Sequence, residues 1–233
     1  MDLNKIKKIY ASDLSPEDKL KFIHDNIKFN GNIKTKEYPE QLLSMKYIKP
    51  SDVVLEIGSN IGRNSCVISC ILNNSENLLT LECNPTYLPT LHENKNNNKL
   101  KFKIEESAIS KRKLMQKQMI TKPSNELEEG FSWIKTITWD DLIKKYNMNF
   151  NVLVCDCEGA IYYILKDEPT FIDQFERIIF ENDFLDDEQE KFTFNFLNEK
   201  GFNIIHKQGI KQWKPFTAKN YIDKKAFYVV FSR

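Results

Sequence analysis

Short apolar runs and amphipathic stretches alternate through most of the chain. VVLEI (53–57), LLTLE (78–82), KFKI (101–104), NVLVCD (151–156) and RIIFE (177–181) are short and largely apolar, which suits strands covered on both faces. Between them, residues 63–72, 86–96, 139–146 and 160–166 carry apolar positions at helical spacing. Such alternation predicts an α/β domain with a doubly wound, mostly parallel sheet. Two more strands, FNIIH (202–206) and AFYVVFS (226–232), are joined by a stretch without helical character. They favour an antiparallel hairpin at the sheet edge, giving seven strands in all.

The first fifty residues read as a helical extension. Ser15-Pro16-Glu17-Asp18 places a capping hydroxyl before a first-turn proline and two acids, and a second helix is expected from Pro39 to Tyr47. Lys49-Pro50-Ser51-Asp52 ends it, so the chain divides into an extension (1–50) and a main domain (51–233). Residues 111–138 are polar and too long for an ordinary connection, which marks an irregular insertion or lid.

Composition narrows the partners. The chain of 233 residues carries 34 basic and 33 acidic residues, a formal charge of +1, which supplies no overall field for nucleic acid or anionic lipid. No apolar run approaches the ~20 residues of a membrane span, and MDLNKIKKIY lacks a signal-peptide pattern, so a soluble cytoplasmic protein is expected. The five cysteines (66, 70, 83, 155 and 157) lie in or beside apolar segments, as reduced buried thiols do. No C-x-x-C occurs, the thiols of Cys155 and Cys157 are expected to point apart, and a zinc site is not expected. The abundance of lysine, asparagine and isoleucine is read as coding bias.

The chemistry concentrates at strand ends. Glu56-Ile57-Gly58-Ser59-Asn60-Ile61-Gly62 leaves the first strand and opens a helix, where glycines permit positive φ and close backbone approach to a ligand. The spacing is not the G-x-G-x-x-G of a dinucleotide site, and the leading acid suits an ammonium or sulfonium better than a pyrophosphate. Glu82, at the end of the second strand, suits the two hydroxyls of a ribose. Together they point to S-adenosylmethionine; the plainer alternative is a tight turn followed by a helix cap.

At these residues the chain resembles a known family. Glu56-x-Gly58-x-Asn60-x-Gly62, Leu81-Glu82-Cys83-Asn84-Pro85, Thr138-Trp139-Asp140-Asp141-Leu142 and Asp156-Cys157-Glu158-Gly159-Ala160 resemble, in order and spacing, the motifs of FkbM-family class I S-adenosylmethionine-dependent methyltransferases. The resemblance spans about residues 50–185 and departs at Ile161, where the signature ends in Glu, and at Cys83, where it has proline. It implies a Rossmann-like fold and O-methyl transfer to a hydroxyl of a sugar, glycan or small metabolite.

Methyl transfer to an aliphatic hydroxyl needs a general base, or a divalent cation that lowers the hydroxyl pKa. Asp156, Glu158 and Glu181 are the candidate catalytic acids. Asp156, Glu181 and Asp183 are candidate ligands for Mg²⁺ or Mn²⁺. Glu56, Gly58, Ser59, Asn60, Gly62, Glu82 and Asp156 are expected around the methyl donor, with Ser107 and Ala108 beside its adenine. Asp156 capping a helix and Glu158 pairing with a surface lysine is the structural alternative. Tyr162, Tyr163, Trp133 and Trp213 could wall a sugar ring, although such aromatics are usually core. N-methylation of protein or nucleic acid, and a catalytically silent nucleoside-binding module, remain the rival functions.

Overall fold

A computed structural model describes residues 3–118, 120–184, 186–210 and 224–233; Trp213 and the connection around it lie outside the described residues. Three helices come first: α1 (Leu3–Tyr10), α2 (Pro16–Asn26) and α3 (Tyr38–Tyr47). Ser15 caps α2 as its sequence suggests, accepting the Asp18 N–H at 3.0 Å with Pro16 in the first turn. The main domain follows with β1 (Val54–Ile57), α4 (Arg63–Ile71), β2 (Leu78–Leu81), α5 (Leu88–Asn97) and β3 (Lys103–Glu105). Next come the short strands β4 (Ala108–Ile109), β5 (Leu114–Lys117), β6 (Ile120–Pro123), β7 (Ser132–Ile134) and β8 (Thr136–Ile137). The chain continues with α6 (Trp139–Tyr146), β9 (Val152–Cys155), α7 (Ala160–Asp167), β10 (Arg177–Glu181), α8 (Asp187–Glu199), β11 (Asn203–Gln208) and β12 (Tyr228–Ser232).

The main sheet has the order β11-β12-β10-β9-β1-β2-β3. Strands β3, β2, β1, β9 and β10 are parallel, and β12 runs antiparallel between β10 and the edge strand β11. This is the Rossmann-like α/β architecture expected, with its antiparallel strands at one edge. Ile57, Leu81 and Cys155 lie side by side in register, so the residues that follow β1, β2 and β9 emerge at one carboxyl edge. The order reverses between β1 and β9, and there the loops diverge and leave a crevice.

Both faces of the sheet are covered, as the apolar strand pattern requires. On one face Val54, Leu78, Val152 and Ile179 meet α4 and the extension's Leu20, Ile23, Leu42 and Leu43. On the other, Leu55, Leu79, Leu153 and Phe180 meet Trp139, Leu142, Ile161, Ile164 and Leu197 from α6, α7 and α8. Each fully buried aliphatic side chain contributes about 1.5–3 kcal/mol, so the extension is part of the same core. Residues 111–138 form a three-stranded antiparallel sheet, β6-β5-β7, beside the β4-β8 pair.

Helix α8 has no counterpart in the sequence pattern. Its Phe192, Phe194 and Phe196 alternate with polar residues as a strand would, yet Asp186 caps the helix by accepting the Glu188 N–H at 2.8 Å, and Leu197 is buried. The cap and the burial of Leu197 against the sheet override the local alternation.

Two asparagines tie the extension to the crevice. Asn94 accepts the Asn30 N–H at 2.6 Å and donates to the carbonyls of Ile61 (2.9 Å) and Asn30 (3.2 Å). Asn98 accepts the Lys28 N–H at 2.8 Å and donates to Lys28 O at 2.7 Å. Both side chains are fully buried. Asn94→Ala removes the partner of the Asn30 N–H and of the Asn30 and Ile61 carbonyls, which are only partly buried, and is expected to lower unfolding free energy by about 1–3 kcal/mol, read from urea denaturation.

Candidate active site

The crevice is a cleft with a cavity volume of about 140 Å³, open on one side to solvent. Its lining comes chiefly from four places: Gly58 and Asn60 after β1, Glu82 to Asn84 after β2, Ser107 to Ile109 after β3, and Asp156, Cys157, Glu158 and Ala160 after β9. Leu114, Gln116 and Thr121 of the small three-stranded sheet form a further wall. The insertion thus covers the cleft.

Glu82 is nearly buried, and burial raises its pKa above the ordinary carboxylate range. One oxygen accepts the Asn60 N–H and the other the Asn84 N–H, both at 2.7 Å. Each oxygen keeps a second lone pair, and Glu82 lines the cleft, so a diol is still a suitable partner. Ser107 and Ala108 also line the cleft, with the Ser107 hydroxyl donating to Glu105 Oε1 at 2.8 Å.

Three residues of the first loop lie elsewhere than expected. Glu56 points to the opposite side of β1, where Oε2 accepts the Thr80 hydroxyl at 2.7 Å and the Ser65 hydroxyl; it does not line the cleft. Burial pushes its pKa up to about 7, making it a carboxyl of the interior. Ser59 is 3 % exposed and Gly62 caps α4, so both support the loop from behind. Gly58 and Gly62 do have positive φ, of 89° and 87°. At Gly58, however, the close neighbour is the protein's own backbone: a Cβ there would lie 1.6 Å from Asp156 O.

At the far end of the cleft Asp156 meets two other acids. Carboxylate oxygens of Glu40, Asp156 and Glu181 all lie within 4.8 Å of one another. Glu40 comes from α3 of the extension and is 7 % exposed; no motif marks it, and only the packing of α3 on α4, β10 and β12 brings it here. Asp183 is not in this trio. Its Oδ1 accepts the Gly159 N–H at 2.8 Å, and burial followed by the Glu181 charge pushes its pKa up to about 8. Ile161, at the signature's departure, is a core residue.

Burial, then the Asp156 and Glu181 charges, raise the Glu40 pKa well above the ordinary range. Burial also raises Glu181, to about 7, against a lowering by its hydrogen bond with Glu40. Their hydrogen bond raises Glu40 and lowers Glu181, so Glu40 is its donor and Glu181 its acceptor. Asp156 is raised too, by burial and then by Glu181 and Asp183. Glu158, at φ 50°, lines the cleft and is raised by burial. The arrangement is a largely buried cluster of acids joined to the cleft through Asp156.

The cysteines also differ from expectation. Cys155 Sγ and Cys157 Sγ are 3.2 Å apart, because residues two apart along a strand share a face and the chain turns immediately afterwards. Of the aromatics, Tyr163 borders a second cavity beside the cleft, whereas Tyr162 packs on Phe192 and Trp133 lies under Lys113.

No family model matches the sequence, and no curated protein matches it. Among solved structures, a ribosomal protein L11 methylase from Lactobacillus delbrueckii subsp. bulgaricus is similar over 88% of this chain and 80% of its own, at 13% identity and a TM-score of 0.51. A protein of the NADB-Rossmann superfamily from Streptococcus agalactiae is similar over 87% of this chain and 71% of its own, at 11% identity and a TM-score of 0.51. What these share with the chain is the fold. No helix among the described residues is long and apolar enough to cross a membrane.

Proposed function

We propose that the chain is an S-adenosylmethionine-dependent O-methyltransferase of the FkbM type, acting on a hydroxyl of a sugar, glycan or related small metabolite. The observation that carries this reading is the position of Asp156, which both lines the cleft and belongs to the acid trio. Donor and acceptor sites would meet there. The motif order in the sequence supports the same reading, as does the methylase named for one of the similar structures.

In this mechanism Glu82 accepts the ribose hydroxyls, and the adenine lies between Ser107 to Ile109 and Ala160 to Ile164. The sulfonium end points toward Asp156. The acceptor hydroxyl enters beside Glu181, which takes its proton as the oxygen attacks the methyl carbon and the sulfur departs. A base with a pKa of about 7 suits proton transfer near neutrality. The walls formed by the small sheet keep water from the donor.

The acid trio also fits a hard divalent cation, since it offers three carboxylates within 4.8 Å. Glu40, Asp156 and Glu181 would hold Mg²⁺ or Mn²⁺, which supplies Lewis-acid polarisation of an acceptor oxygen when bound. A second reading, transfer to an amine, is favoured by the carboxylates gathered at Asp156, which suit a cationic acceptor.

Calorimetry with S-adenosylmethionine, followed by a transfer screen over free sugars, glycans and amines, tests the proposal. Donor binding with label appearing on a hydroxyl acceptor is the expected result. Label on amines alone would move the activity to nitrogen, binding without transfer would leave a silent nucleoside module, and no binding would end the reading.

A further inference from the structure

The turn after β9 brings two thiols together on the cleft floor. The Asp156 N–H still bonds to Ile57 O, so the strand pairing extends one residue beyond Cys155. Glu158 and Gly159 then adopt left-handed conformations in succession, at φ 50° and 77°, and turn the chain into α7. Cys155 is anchored in the core with Phe180 and Ile161, while Cys157 packs on the edge of the same core and lines both the cleft and the cavity beside it. Their sulfurs stand 3.2 Å apart. A metal does not account for the pair: among the described residues, the only group of three potential ligands is the carboxylate trio.

We propose that Cys155 and Cys157 form an oxidation site, an intrachain disulfide across the floor of the cleft that weakens donor binding. The oxidant is hydrogen peroxide, small enough to enter the cleft. The Cys157 thiolate attacks the peroxide oxygen, forming an S–O bond and breaking the O–O bond; the departing hydroxide takes up a proton to become water, leaving a sulfenic acid. Cys155 sulfur then attacks Cys157 sulfur. The S–S bond forms, the S–O bond breaks, and the proton of Cys155 leaves with the hydroxide as a second water. Two thiols are oxidised and one peroxide is reduced.

The two cysteines differ in role. Cys155 is 1 % exposed, whereas Cys157 lines the cleft, so a peroxide in the cleft meets the Cys157 sulfur first. Cys155, screened from the cleft, reacts only once Cys157 carries a leaving group. A disulfide needs the sulfurs about 2.05 Å apart, so they close by roughly 1 Å. The core holds Cys155, hence Cys157 moves and carries with it the turn that bears Asp156 and Glu158. The effect on the donor rests on the functional reading above; the disulfide itself does not.

Reduced protein is titrated with hydrogen peroxide and followed by intact mass, thiol count and donor calorimetry. The expected result is loss of two hydrogens, located to the peptide containing residues 155 and 157, with donor affinity falling about tenfold or more and recovering with dithiothreitol. Cys155→Ser, or Cys155→Ala if the serine variant folds poorly, is expected to lose no hydrogens and to form no disulfide. Oxygen added to Cys157 without a disulfide, or a disulfide that leaves donor affinity unchanged, overturns the proposal. If the reduced protein binds no donor, the functional reading fails and the effect on binding falls with it, while the mass and thiol count still decide whether the disulfide forms.

Discussion

Gly58→Ala is expected to cost about 4–5 kcal/mol of folding stability, whereas Gly62→Ala, in the same loop, costs about 1–2 kcal/mol. Both glycines have φ near 90°, so a side chain adds comparable backbone strain at each. The difference lies in what a Cβ would meet. At Gly58 it would fall 1.6 Å from Asp156 O, a backbone atom fixed by the β1-β9 pairing, and one of two strands must give way. At Gly62 it would lie 2.7 Å from Leu91 Cδ1, the end of a side chain that can rotate aside. A loss of about 4–5 kcal/mol is a large part of the 5–15 kcal/mol by which domains are usually stable. Thermal unfolding of the two variants checks the order. Equal destabilisation would mean that positive φ alone sets the cost, and that the Asp156 contact is relaxed in solution.

Gly58 also shows why the sequence could locate the loop without explaining its glycine. Positive φ follows from the residue type and the strand-to-helix context, but the partner in close approach is 98 positions away in the chain and becomes visible only in the sheet order. The parallel strands were legible because burial on both faces leaves an uninterrupted apolar run. Helices capped by Ser15 and Thr138 were legible for an equally local reason. Helix α8 was not, since three alternating phenylalanines mimic a strand and only tertiary contact reverses that preference. Asn94 and Asn98 disappear in an asparagine-rich tract that composition alone reads as bias, although both are buried and fully used. Within the site, Glu82, Ser107 and Asp156 follow strand ends and could be foreseen from position. Glu56 could not: it lies on β1 itself, and the alternation of side chains sends it to the face opposite Leu55 and Ile57. Glu40 carries no motif at all, because its role depends on where a helix of the extension docks.

Glu181→Gln is expected to lower kcat by about 10²–10⁴-fold while donor affinity stays within about twofold, the division expected of a base that acts on the acceptor. In the parent protein the rate should rise with pH through about 7, since Glu181 must be ionised to accept a proton and burial raises its pKa to about that value. Below that pH the protonated acid is inactive. The Glu37 and Glu158 charges push in the same direction as burial, and only the hydrogen bond from Glu40 opposes them. Two substitutions at Glu40 therefore separate. Glu40→Gln still offers an N–H to Glu181 and should leave the acidic limb near its place. Glu40→Ala removes the donor, so the Glu181 pKa rises and the limb moves to higher pH. The limb belongs to the coupled acids jointly, with Asp156 and Asp183 also raised, so its midpoint is assigned by this contrast and not by its absolute position. Rate profiles of the three variants from pH 5 to 9 provide the measurement. An acidic limb that survives in Glu181→Gln would pass the base to Asp156, the remaining acid that both joins the trio and lines the cleft.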